Sequence, residues 1–559
     1  MSYMRKKDNR VLFLPLGGSG EIGMNLNLYG HKGQWLMVDC GMMFADDYTP
    51  GVDLIFPDPS FIEDESDRLV GLMVTHGHED HIGAIPHLWS RFKCPIYATA
   101  FTAEMIRGKL QEAGIEDEVI LHIVEAHEDI EVGPFSVRYI PLAHSIAEGN
   151  GLAIKTEKGT LFHTGDWKLD DDPLIGPACP SEALTSLGDE GVLALIGDST
   201  NVFNPAESGS EATVRENLIK VVQDMDNRVV ITTFASNVAR LDTIGAVAKA
   251  TGRSLALIGR SMQRIYNVGK STGYLGDLPP LVDEEHIADI PRDKILIACT
   301  GCQGESRAAM ARIARGEHKN VQLSPGDNVL FSSKIIPGND LTLGHLFNTL
   351  AASKINVITE KDAPIHVSGH PGQPELARLY DWVRPKMLFP VHGEVRHLMK
   401  HAEFARSLAI EHTLVPANGD IIEISSTGLK KIDEVPVGRL ALDGKIIVSI
   451  DDIAITERRR SSLSGFVTIS LVFDDNGALA AEPAMALMGL PSRDPELFYD
   501  EMLAELEAAI DRMARKGRLS DKDVEEVSRI TIRRFCRKTN GKNPGVATLI
   551  TRQEYIDFR

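Results

Sequence analysis

Short apolar runs separated by glycine, aspartate and proline turns fill the chain from Val11 to about Asp198. They are VLFLPL, MNLNLYG, QWLMVDCG, LVGLMVTH, FSVRYIPLAH, GLAIKT, GTLFHTGD and VLALIGDST. Their length and spacing predict β-strands, and histidine or aspartate follows several of them. Because binding residues concentrate in the loops of a rigid scaffold, the pattern predicts sheets whose loops hold a functional site.

Between about Pro205 and Ser353 the pattern changes to alternating helices and strands. TVRENLIKVVQDM precedes RVVITTF, ARLDTIGAVAKATG precedes SLALIG, and KILIACTG and NVLFSS follow. This alternation predicts βα units around a mainly parallel sheet. Beyond it, strand ends that carry histidine return in PIHVSGHPG and MLFPVHGE. The first domain is therefore predicted to be interrupted by an insertion and then resumed.

The last part of the chain is predicted to form a separate module. NGDIIEIS and GLKKIDEV, after about Ala417, predict a closing hairpin, whereas ELFYDEMLAELEAAIDRMARKG, well beyond Ile446, has helical periodicity. We expect four segments, at residues 1–204, 205–355, 356–445 and 446–559.

Length and charge narrow the possibilities. A chain of 559 residues exceeds what one hydrophobic core usually serves, which predicts more than one domain. Its 59 basic and 79 acidic residues give a formal net charge of -20, so the molecule as a whole does not attract nucleic acid or an anionic membrane. Any site for a polyanion must therefore be local, built from a metal centre or a basic patch.

The six cysteines are too few and too scattered to predict a disulfide framework, which favours a reducing cytosol. The chain has no secretory signal pattern and no run of about 18 apolar residues. We expect a cytoplasmic protein without membrane contact.

Three motifs resemble known sites but lack what those sites require. GGSGEIG at residues 17–23 is followed by a strand-like run rather than the helix of a dinucleotide site, so we expect a tight glycine turn. GKST at residues 269–272 lacks the earlier glycine of a phosphate loop, where Arg264 stands. Cys299 and Cys302 have no second pair to complete four metal ligands, which favours a buried strand end.

The strongest chemical signal is VTHGHEDHIGAIPHL, which begins at Val74 and holds three histidines and two carboxylates between His76 and His81. A turn after a buried strand can direct His76 and His78 to one side and Asp80 and His81 to the other, which suits two adjacent cations. Imidazole and carboxylate ligands fit zinc or manganese. A solvated surface cluster is the alternative, and the downstream partners argue against it.

Those partners are His144 in IPLAHS, Asp166 in HTGDWKLD and His392 in FPVHGE, each after a strand-like run. The predicted ligands are His76, His78, His144 and Asp166 for one ion, and Asp80, His81, Asp166 and His392 for the other, with Asp166 shared. Asp39 in MVDCG is predicted to orient a ligand histidine or the attacking water. Asp198 in IGDST has either a similar role or a capping role, whereas Glu79 has no ligand role and His87 packs in a helix.

The H-x-H-x-D-H motif with a distant His and Asp resembles the metallo-β-lactamase-fold hydrolases. The insertion, HVSGH and PVHGE narrow the resemblance to the β-CASP nucleases, and GGSGEIG, THGHEDHIGA, HTGD, GDST, TTFASN and IPGND make the chain similar to bacterial ribonuclease J. The implied fold class is α/β: a metallo-β-lactamase αββα sandwich interrupted by an inserted α/β β-CASP domain, plus a small α+β C-terminal domain. The resemblance covers most of the chain, the C-terminal module more loosely.

The resemblance implies a two-metal ribonuclease that hydrolyses RNA phosphodiester bonds. Such enzymes are 5'-to-3' exonucleases that prefer 5'-monophosphate ends, with endonuclease activity, and act in mRNA decay and rRNA maturation. The implied cofactors are two divalent ions per subunit, zinc in the first place, with manganese or magnesium as alternatives. The implied partners are single-stranded RNA, a second copy of the chain in a homodimer or homotetramer, and other RNA-decay proteins.

The same resemblance assigns substrate roles to two motifs. The HVSGH loop, formed by His366, Val367, Ser368, Gly369 and His370, would hold the substrate phosphate. Phe234, Ala235 and Ser236 of TTFASN would hold the RNA end, with a base stacked on Phe234. The implied catalytic set is His370, Asp39 and Asp198, and His370 acts either as proton donor or only as a phosphate ligand.

Two features depart from or extend the pattern. Cys302 stands where the family commonly has serine. A basic run, Arg533, Arg534, Arg537 and Lys538, either extends an RNA path or is a solvated helix face. Competing functions are a β-CASP nuclease for single-stranded DNA, an inactive RNA-binding scaffold and a small-ester hydrolase. His392 favours the RNA branch, the filled ligand positions argue against a scaffold, and the large insertion argues against an ester hydrolase.

Overall fold

The computed structural model describes residues 9–46, 48–178, 181–336, 338–410, 412–515 and 520–552. The chain folds as two compact units. One comprises the residues up to Met43 together with Phe56–Gly438, and the other comprises Phe44–Ile55 together with the chain from Arg439 onward.

The strands in chain order are β1 (Val11–Gly17), β2 (Ser19–Gly20), β3 (Leu26–His31), β4 (Gln34–Val38), β5 (Met43–Phe44), β6 (Leu54–Pro57), β7 (Leu69–Met73), β8 (Ile96–Ala98), β9 (Leu121–Ile123), β10 (Asp129–Val132), β11 (Phe135–Pro141), β12 (Asn150–Thr156), β13 (Gly159–His163), β14 (Val192–Asp198), β15 (Val229–Thr232), β16 (Ser254–Ile258), β17 (Ile295–Cys299), β18 (Asn328–Phe331), β19 (Asn356–Ile358), β20 (Met387–Val391), β21 (Gly393–Glu394), β22 (His412–Thr413), β23 (Asp420–Ser425), β24 (Gly428–Glu434), β25 (Arg439–Asp443), β26 (Ile446–Ser449), β27 (Phe466–Phe473), β28 (Ala484–Met488) and β29 (Gly545–Arg552).

The α-helices are α1 (Ser60–Asp64), α2 (Glu79–Ile82), α3 (Ile85–Phe92), α4 (Ala100–Ala113), α5 (Ser181–Glu190), α6 (Glu211–Gln223), α7 (Val238–Ala250), α8 (Arg260–Ser271), α9 (Ala309–Ala314), α10 (Asp340–Ala352), α11 (Gln373–Val383), α12 (Val395–Ser407), α13 (Ile453–Ser464), α14 (Pro495–Ala514) and α15 (Asp521–Thr539). Short 3₁₀ turns lie at Ser66–Arg68, Glu116–Glu118, Glu284–Asp289 and Arg292–Lys294. Within the described residues, none of these helices is both long and apolar enough to cross a bilayer.

The first unit is built on two sheets packed face to face. Their strand orders are β24-β23-β1-β3-β4-β7-β8-β9 and β10-β11-β12-β13-β14-β20-β22. Side chains from both sheets, among them Phe13, Tyr29, Val137 and Phe389, form one buried core. β1 and β14 are buried at every position, as expected for central strands covered on both faces. Helices α5, α11 and α12 pack on the second sheet, which confirms the predicted sandwich.

The insertion forms a lobe of its own around a five-stranded sheet of order β16-β17-β15-β18-β19. All of its strand pairs are parallel, which confirms the βα units predicted from the sequence. A core of apolar side chains from its strands and from α9 and α10 fills one side of this sheet. β19 extends the sheet beyond residue 355, the predicted end of the insertion.

The strand predicted in PIHVSGHPG is wrong. β19 ends at Ile358 and α11 begins at Gln373, and the residues between them form no strand. Pro364 and Pro371 cannot donate to a sheet ladder, and Gly369 and Gly372 weaken a strand further. The histidine-bearing segment is instead a loop. The Ser368 hydroxyl bonds the backbone of His370 within it, and side chains elsewhere in the unit supply further polar contacts.

The second unit contains two small sheets, with orders β26-β25-β6-β5 and β28-β27-β29. Alternate residues of β27, together with Phe498, Met502 and Phe535 from α14 and α15, form its buried core. The helical periodicity predicted within residues 496–517 is therefore confirmed in α14. The hairpin predicted after Ala417 is β23 and β24, and it lies in the first unit. The four segment boundaries stay a prediction.

Candidate metal centre

The turn of His76–His81 follows β7 and folds around the carboxylate of Asp39, which stands at the end of β4. The backbone N–H of Thr75 donates to Asp39 Oδ1 over 2.8 Å, and the Thr75 hydroxyl donates to Oδ2 over 2.9 Å. Asp39 has a φ of +62°, a conformation that a non-glycine residue adopts only when its surroundings impose it. The buried Asp39 carboxylate thus fixes the start of the histidine-rich turn through Thr75, which is not itself a candidate ligand.

Three histidine nitrogens converge on one side of the turn. His78 Nδ1 lies 3.1 Å from His76 Nε2 and 3.1 Å from His144 Nε2. Asp166 Oδ2 lies 3.8 Å from both Nε2 atoms and completes a group of four donors. Burial lowers the pKa of His144 to about 3 and lowers those of His76 and His78 well below the usual value, so all three imidazoles are neutral donors.

A second group of four donors lies on the other side of Asp166. Asp80 Oδ2 is 3.6 Å from His81 Nε2 and 3.6 Å from His392 Nε2. Asp166 Oδ2 is 3.2 Å from His81 Nε2 and 3.3 Å from His392 Nε2. The structure therefore brings together all seven side chains that the sequence predicted, in the two predicted sets.

Asp166 joins the two groups. Burial would raise the pKa of its carboxyl, but His392 and His81 outweigh burial and hold the pKa well below the usual value. Its second oxygen, Oδ1, is buried and has no hydrogen-bond partner. A buried carboxylate oxygen without a hydrogen bond favours a nearby cation, and a metal ion held by these donors would supply one. The donor set therefore fits metal ions.

Most of these histidines are oriented through the ring nitrogen that faces away from the centre. His81 Nδ1 is 2.7 Å from Asp39 Oδ2, His76 Nδ1 is 3.0 Å from the Thr75 hydroxyl, and His144 Nδ1 donates to the carbonyl of Gly369 over 2.6 Å. Holding one nitrogen in this way fixes the tautomer and leaves the other free to bind metal. Asp39 thus contacts a candidate ligand histidine, and its orienting role stays a prediction.

His370 and Asp198 form a pair beside the second donor group. His370 Nδ1 lies 2.7 Å from Asp198 Oδ2, and both residues also form a possible donor group with Asp166 and His392. Burial would lower the pKa of His370, but the Asp198 carboxylate outweighs it and raises the pKa to about 9. Asp198 also accepts from the backbone N–H of Thr200, so its orienting and capping roles coexist.

The other predicted substrate residues lie in two loops. His366, Val367, Ser368 and Gly369 are half-buried, and Gly369 touches the centre through its carbonyl. Phe234, Ala235 and Ser236 are half-buried after β15 of the inserted lobe. These three residues belong to neither donor group, and they precede Asn237, whose side chain caps α7.

Comparison with known proteins identifies the family. Over 556 residues the chain is 41% identical to "Ribonuclease J" of Sinorhizobium meliloti, which covers 98% of this chain and 98% of that protein. The chain belongs to the ribonuclease J family. Among further relatives, "Ribonuclease J" of Corynebacterium glutamicum is 38% identical over 91% of this chain and 71% of its own length. The protein of the same name from Helicobacter pylori is 32% identical over 96% and 79%.

Family models match the parts of this ribonuclease J family member separately. Residues 34–187 match a beta-lactamase superfamily domain, and residues 226–350 match the ribonuclease J beta-CASP domain. Residues 355–416 match a Zn-dependent metallo-hydrolase RNA specificity domain, and residues 453–553 match the ribonuclease J C-terminal domain. A crystal structure of an Enterococcus faecalis protein of unknown function, 15% identical with a TM-score of 0.52, covers 74% of this chain and all of that chain, and supports the fold alone.

The sequence did not predict three further residues that hold parts of the site in this family member. The Asn25 side chain contacts His392 Nδ1 and the Asp80 carbonyl. Thr75 bridges Asp39 and His76, and its place directly before the first ligand was an available signal. Glu375 is fully buried and accepts from the N–H groups of Leu169, Ser208 and Gly372. Its place at the third position of α11, after Gly372 and Pro374, was an available signal, because a glutamate there accepts from the N–H of the residue that caps the helix.

The three motifs that resemble known binding sites have structural roles instead. The glycine turn of residues 17–23 is confirmed, and the carbonyl of Gly18 accepts from the N–H of the candidate ligand His392 over 2.7 Å. Residues 269–272 end helix α8 rather than forming a phosphate loop. Cys299 ends the buried strand β17, and Cys302 is buried beyond it.

Two residues of the opening motif, Glu79 and His87, make contacts outside both donor groups. Glu79 pairs with Lys109 over 2.6 Å, and the ring of His87 stacks on Phe56. In the second unit, Arg534 of the basic run is exposed and lies 3.7 Å from Glu505, and Arg533 donates to the carbonyl of Pro544.

Proposed function

We propose that the two donor groups hold two divalent metal ions, one bound by His76, His78, His144 and Asp166, the other by Asp80, His81, Asp166 and His392. Membership of the ribonuclease J family makes the chain a metal-dependent ribonuclease, a hydrolase that acts on RNA. The finer proposal is that it degrades single-stranded RNA from 5'-monophosphate ends in the 5'-to-3' direction and also cleaves internally.

The observation that carries the proposal is the environment of Asp166. One of its oxygens lies within 3.8 Å of four imidazole Nε2 atoms, and the other is buried without a partner. Tetrahedral zinc with Zn–N bonds of about 2.0–2.1 Å separates its nitrogen ligands by roughly 3.3 Å. The 3.1 Å nitrogen separations around His78 support zinc over magnesium, which prefers oxygen ligands.

Bound divalent ions supply an activated water at neutral pH and positive charge for the scissile phosphate. The chain's own residues do the rest. Asp39, Thr75 and the Gly369 carbonyl keep His81, His76 and His144 in place. The Asp198 carboxylate lies 2.7 Å from His370 Nδ1 and raises the pKa of that imidazole, which favours a proton that can pass to the leaving 3' oxygen. Asp198 keeps the imidazole oriented through Nδ1.

The substrate assignments rest on the HVSGH loop, which contacts His144, and on the Phe234–Ser236 segment, which follows β15 of the inserted lobe. We propose that His366, Val367, Ser368 and Gly369 bind the phosphate of the RNA end. Support comes from the 2.6 Å bond of Gly369 to ligand His144, which ties that loop to the reacting atoms. Phe234, Ala235 and Ser236 are proposed to contact the terminal nucleotide, with the aromatic ring available for stacking.

The test uses three single-stranded substrates of one sequence: RNA with a 5' monophosphate, RNA with a 5' triphosphate, and DNA with a 5' monophosphate. Each is incubated with the metal-free protein reloaded with zinc, manganese or magnesium, and bound metal is counted by mass spectrometry of the native protein. We expect two ions per chain and mononucleotides released fastest from monophosphorylated RNA. Equal cleavage of the DNA would contradict the RNA assignment, and one ion per chain would contradict the paired centre. Native mass also tests the proposed homodimer or homotetramer.

A further inference from the structure

Arg240 is a fully buried arginine in the first turn of α7, four residues after Ser236. Its Nη2 donates to both oxygens of Glu211 over 2.9 and 3.0 Å, and its Nε donates to Glu211 Oε2 over 3.1 Å. The partner carboxylate is itself only 3% exposed. The charge is therefore fully paired inside the protein, and no part of it faces solvent.

The remaining nitrogen of Arg240 reaches the other substrate loop. Nη1 donates to the carbonyl and the hydroxyl of Ser332, over 2.7 and 2.5 Å, and to the carbonyl of Ile365 over 3.2 Å. The Ser332 hydroxyl donates to the same Ile365 carbonyl over 2.7 Å. Ile365 directly precedes His366, so one guanidinium joins the helix behind Phe234–Ser236 to the start of the HVSGH loop.

The Arg240–Glu211 ion pair is also connected to the lobe that carries the two donor groups. The N–H of Glu211 donates to Asp170 Oδ2 over 3.2 Å, and Asp170 forms a 3.1 Å ion pair with the buried Lys168. Lys168 lies two residues after Asp166, the shared donor of the centre. A line of buried polar contacts therefore runs from Lys168 through Glu211 and Arg240 to Ile365 at the start of the HVSGH loop. Arg240 is connected to Phe234–Ser236 through the first turn of α7.

A buried ion pair is seldom the most stable way to fill a core, because an apolar pair of similar size avoids the desolvation of two charges. A planar guanidinium, in contrast, can hold several acceptors at fixed angles. We infer that Arg240 is a positioning residue that sets the spacing between the Phe234–Ser236 loop and the HVSGH loop, and thereby the enzyme's selectivity for the 5' end of RNA. This inference rests on the proposed function of those two loops.

The experiment compares wild-type protein with Arg240→Lys, which keeps the charge but cannot bridge Glu211 and Ile365 at once. The first readout is the ratio of dissociation constants for 5'-hydroxyl and 5'-monophosphorylated RNA of one sequence, measured without turnover in the metal-chelated protein. The second is hydrolysis of bis(p-nitrophenyl) phosphate, a small diester that needs only the metal centre. We expect the ratio to fall about tenfold in the variant, the factor that corresponds to losing about one hydrogen bond to the charged 5' phosphate, while diester hydrolysis changes less than twofold.

Two further variants complete the test. Ser332→Ala removes one donor to Ile365 without removing a charge, and should lower the same ratio by a smaller factor. This variant tests the inference independently if Arg240→Lys folds poorly. Arg253→Lys changes another buried arginine of the inserted lobe, which donates to the carbonyls of Asn227 and Met225, and should leave the ratio unchanged.

The outcomes separate the inference from the proposed function. An unchanged end-selectivity ratio in both Arg240→Lys and Ser332→Ala overturns the inference, as does an equal loss of diester hydrolysis, which would indicate a merely structural role. A wild-type protein that shows end selectivity but no hydrolysis of RNA or diester in any metal contradicts the proposed function and leaves the binding ratio to decide the role of Arg240.

Discussion

The His76–His81 turn and the His366–His370 loop both border the same centre, but they are held in different ways. The turn follows a buried strand and is fixed by Asp39 and Thr75, which belong to the adjacent strand end and to the turn itself. The loop contains no strand. Arg240 and Ser332 donate to the carbonyl of Ile365 at its start, and Glu375 accepts from the N–H of Gly372 beyond its end. The contact of Asp39 with the turn joins positions 36 apart in the chain, whereas the contact of Arg240 with the loop joins positions 125 apart.

The difference suggests a division of tasks. A metal centre needs donors fixed to fractions of an ångström, which a strand end and a buried carboxylate provide. A site for a polymer end has to be placed relative to that centre, which requires contacts that join both lobes. Damage to the turn should therefore abolish the chemistry, whereas damage to the supports of the loop should alter substrate use.

The largest effect is expected from Asp166→Asn, because this residue serves both donor groups. The amide carries no charge to balance two cations, so we expect loss of both ions and of RNA hydrolysis to the detection limit. Metal content and turnover measured on one preparation check this. Retention of two ions would contradict the shared role of Asp166.

His370→Gln should lower turnover on RNA by about 10²–10⁴-fold, the usual contribution of a positioned proton donor. Metal content should stay at the wild-type level, because His370 belongs to neither proposed four-donor set. Asp198→Asn should lower turnover in the same direction by weakening the partner of Nδ1. Loss of metal in His370→Gln would show that the loop and the turn share the ions more closely than we propose.

Asp39→Asn sharpens the comparison on the side of the turn. Replacing a carboxylate that orients a ligand histidine should weaken metal binding by about 10–100-fold, since such outer contacts typically have that value. A competition titration with a coloured chelator measures the change. High metal concentration should restore most of the turnover, and a failure to restore it would assign Asp39 a direct part in the chemistry.

Glu375→Gln gives the smallest expected effect and tests the far support of the loop. The amide nitrogen cannot accept from Gly372 or Ser208, so we expect a cost of about 1–3 kcal/mol in the free energy of unfolding. Denaturant unfolding measures it, and RNA turnover should fall only a few-fold. Glu207→Gln, on an exposed pair with Arg378, is the matched control and should change stability by less than about 1 kcal/mol.

The sequence predicted what local order determines. The seven donors, Asp39 and the glycine turn each stand beside a strand-like run, so their direction follows from the strand. The prediction failed at PIHVSGHPG because an apolar pair beside histidine resembles a strand end, although the prolines and glycines of this segment disfavour a strand. The loop is held in part by Arg240 and Asp198, which lie 125 and 172 positions from their partners. The strand period carries no information about such distant partners. Asn25 was missed for the same reason, since its partner His392 lies in another strand-end turn.

The order of strands in the two sheets has a consequence for synthesis. β1 lies between β3 and β23, β14 pairs with β20, and His392 follows β20. A nascent chain that has emerged only as far as the end of α11 lacks β20, which lies between β14 and β22 in the second sheet. It also lacks His392, one of the seven donors. Closing such long-range pairs is slow and must await the later residues. The centre that degrades RNA therefore stays incomplete until the ribosome has translated the message past His392.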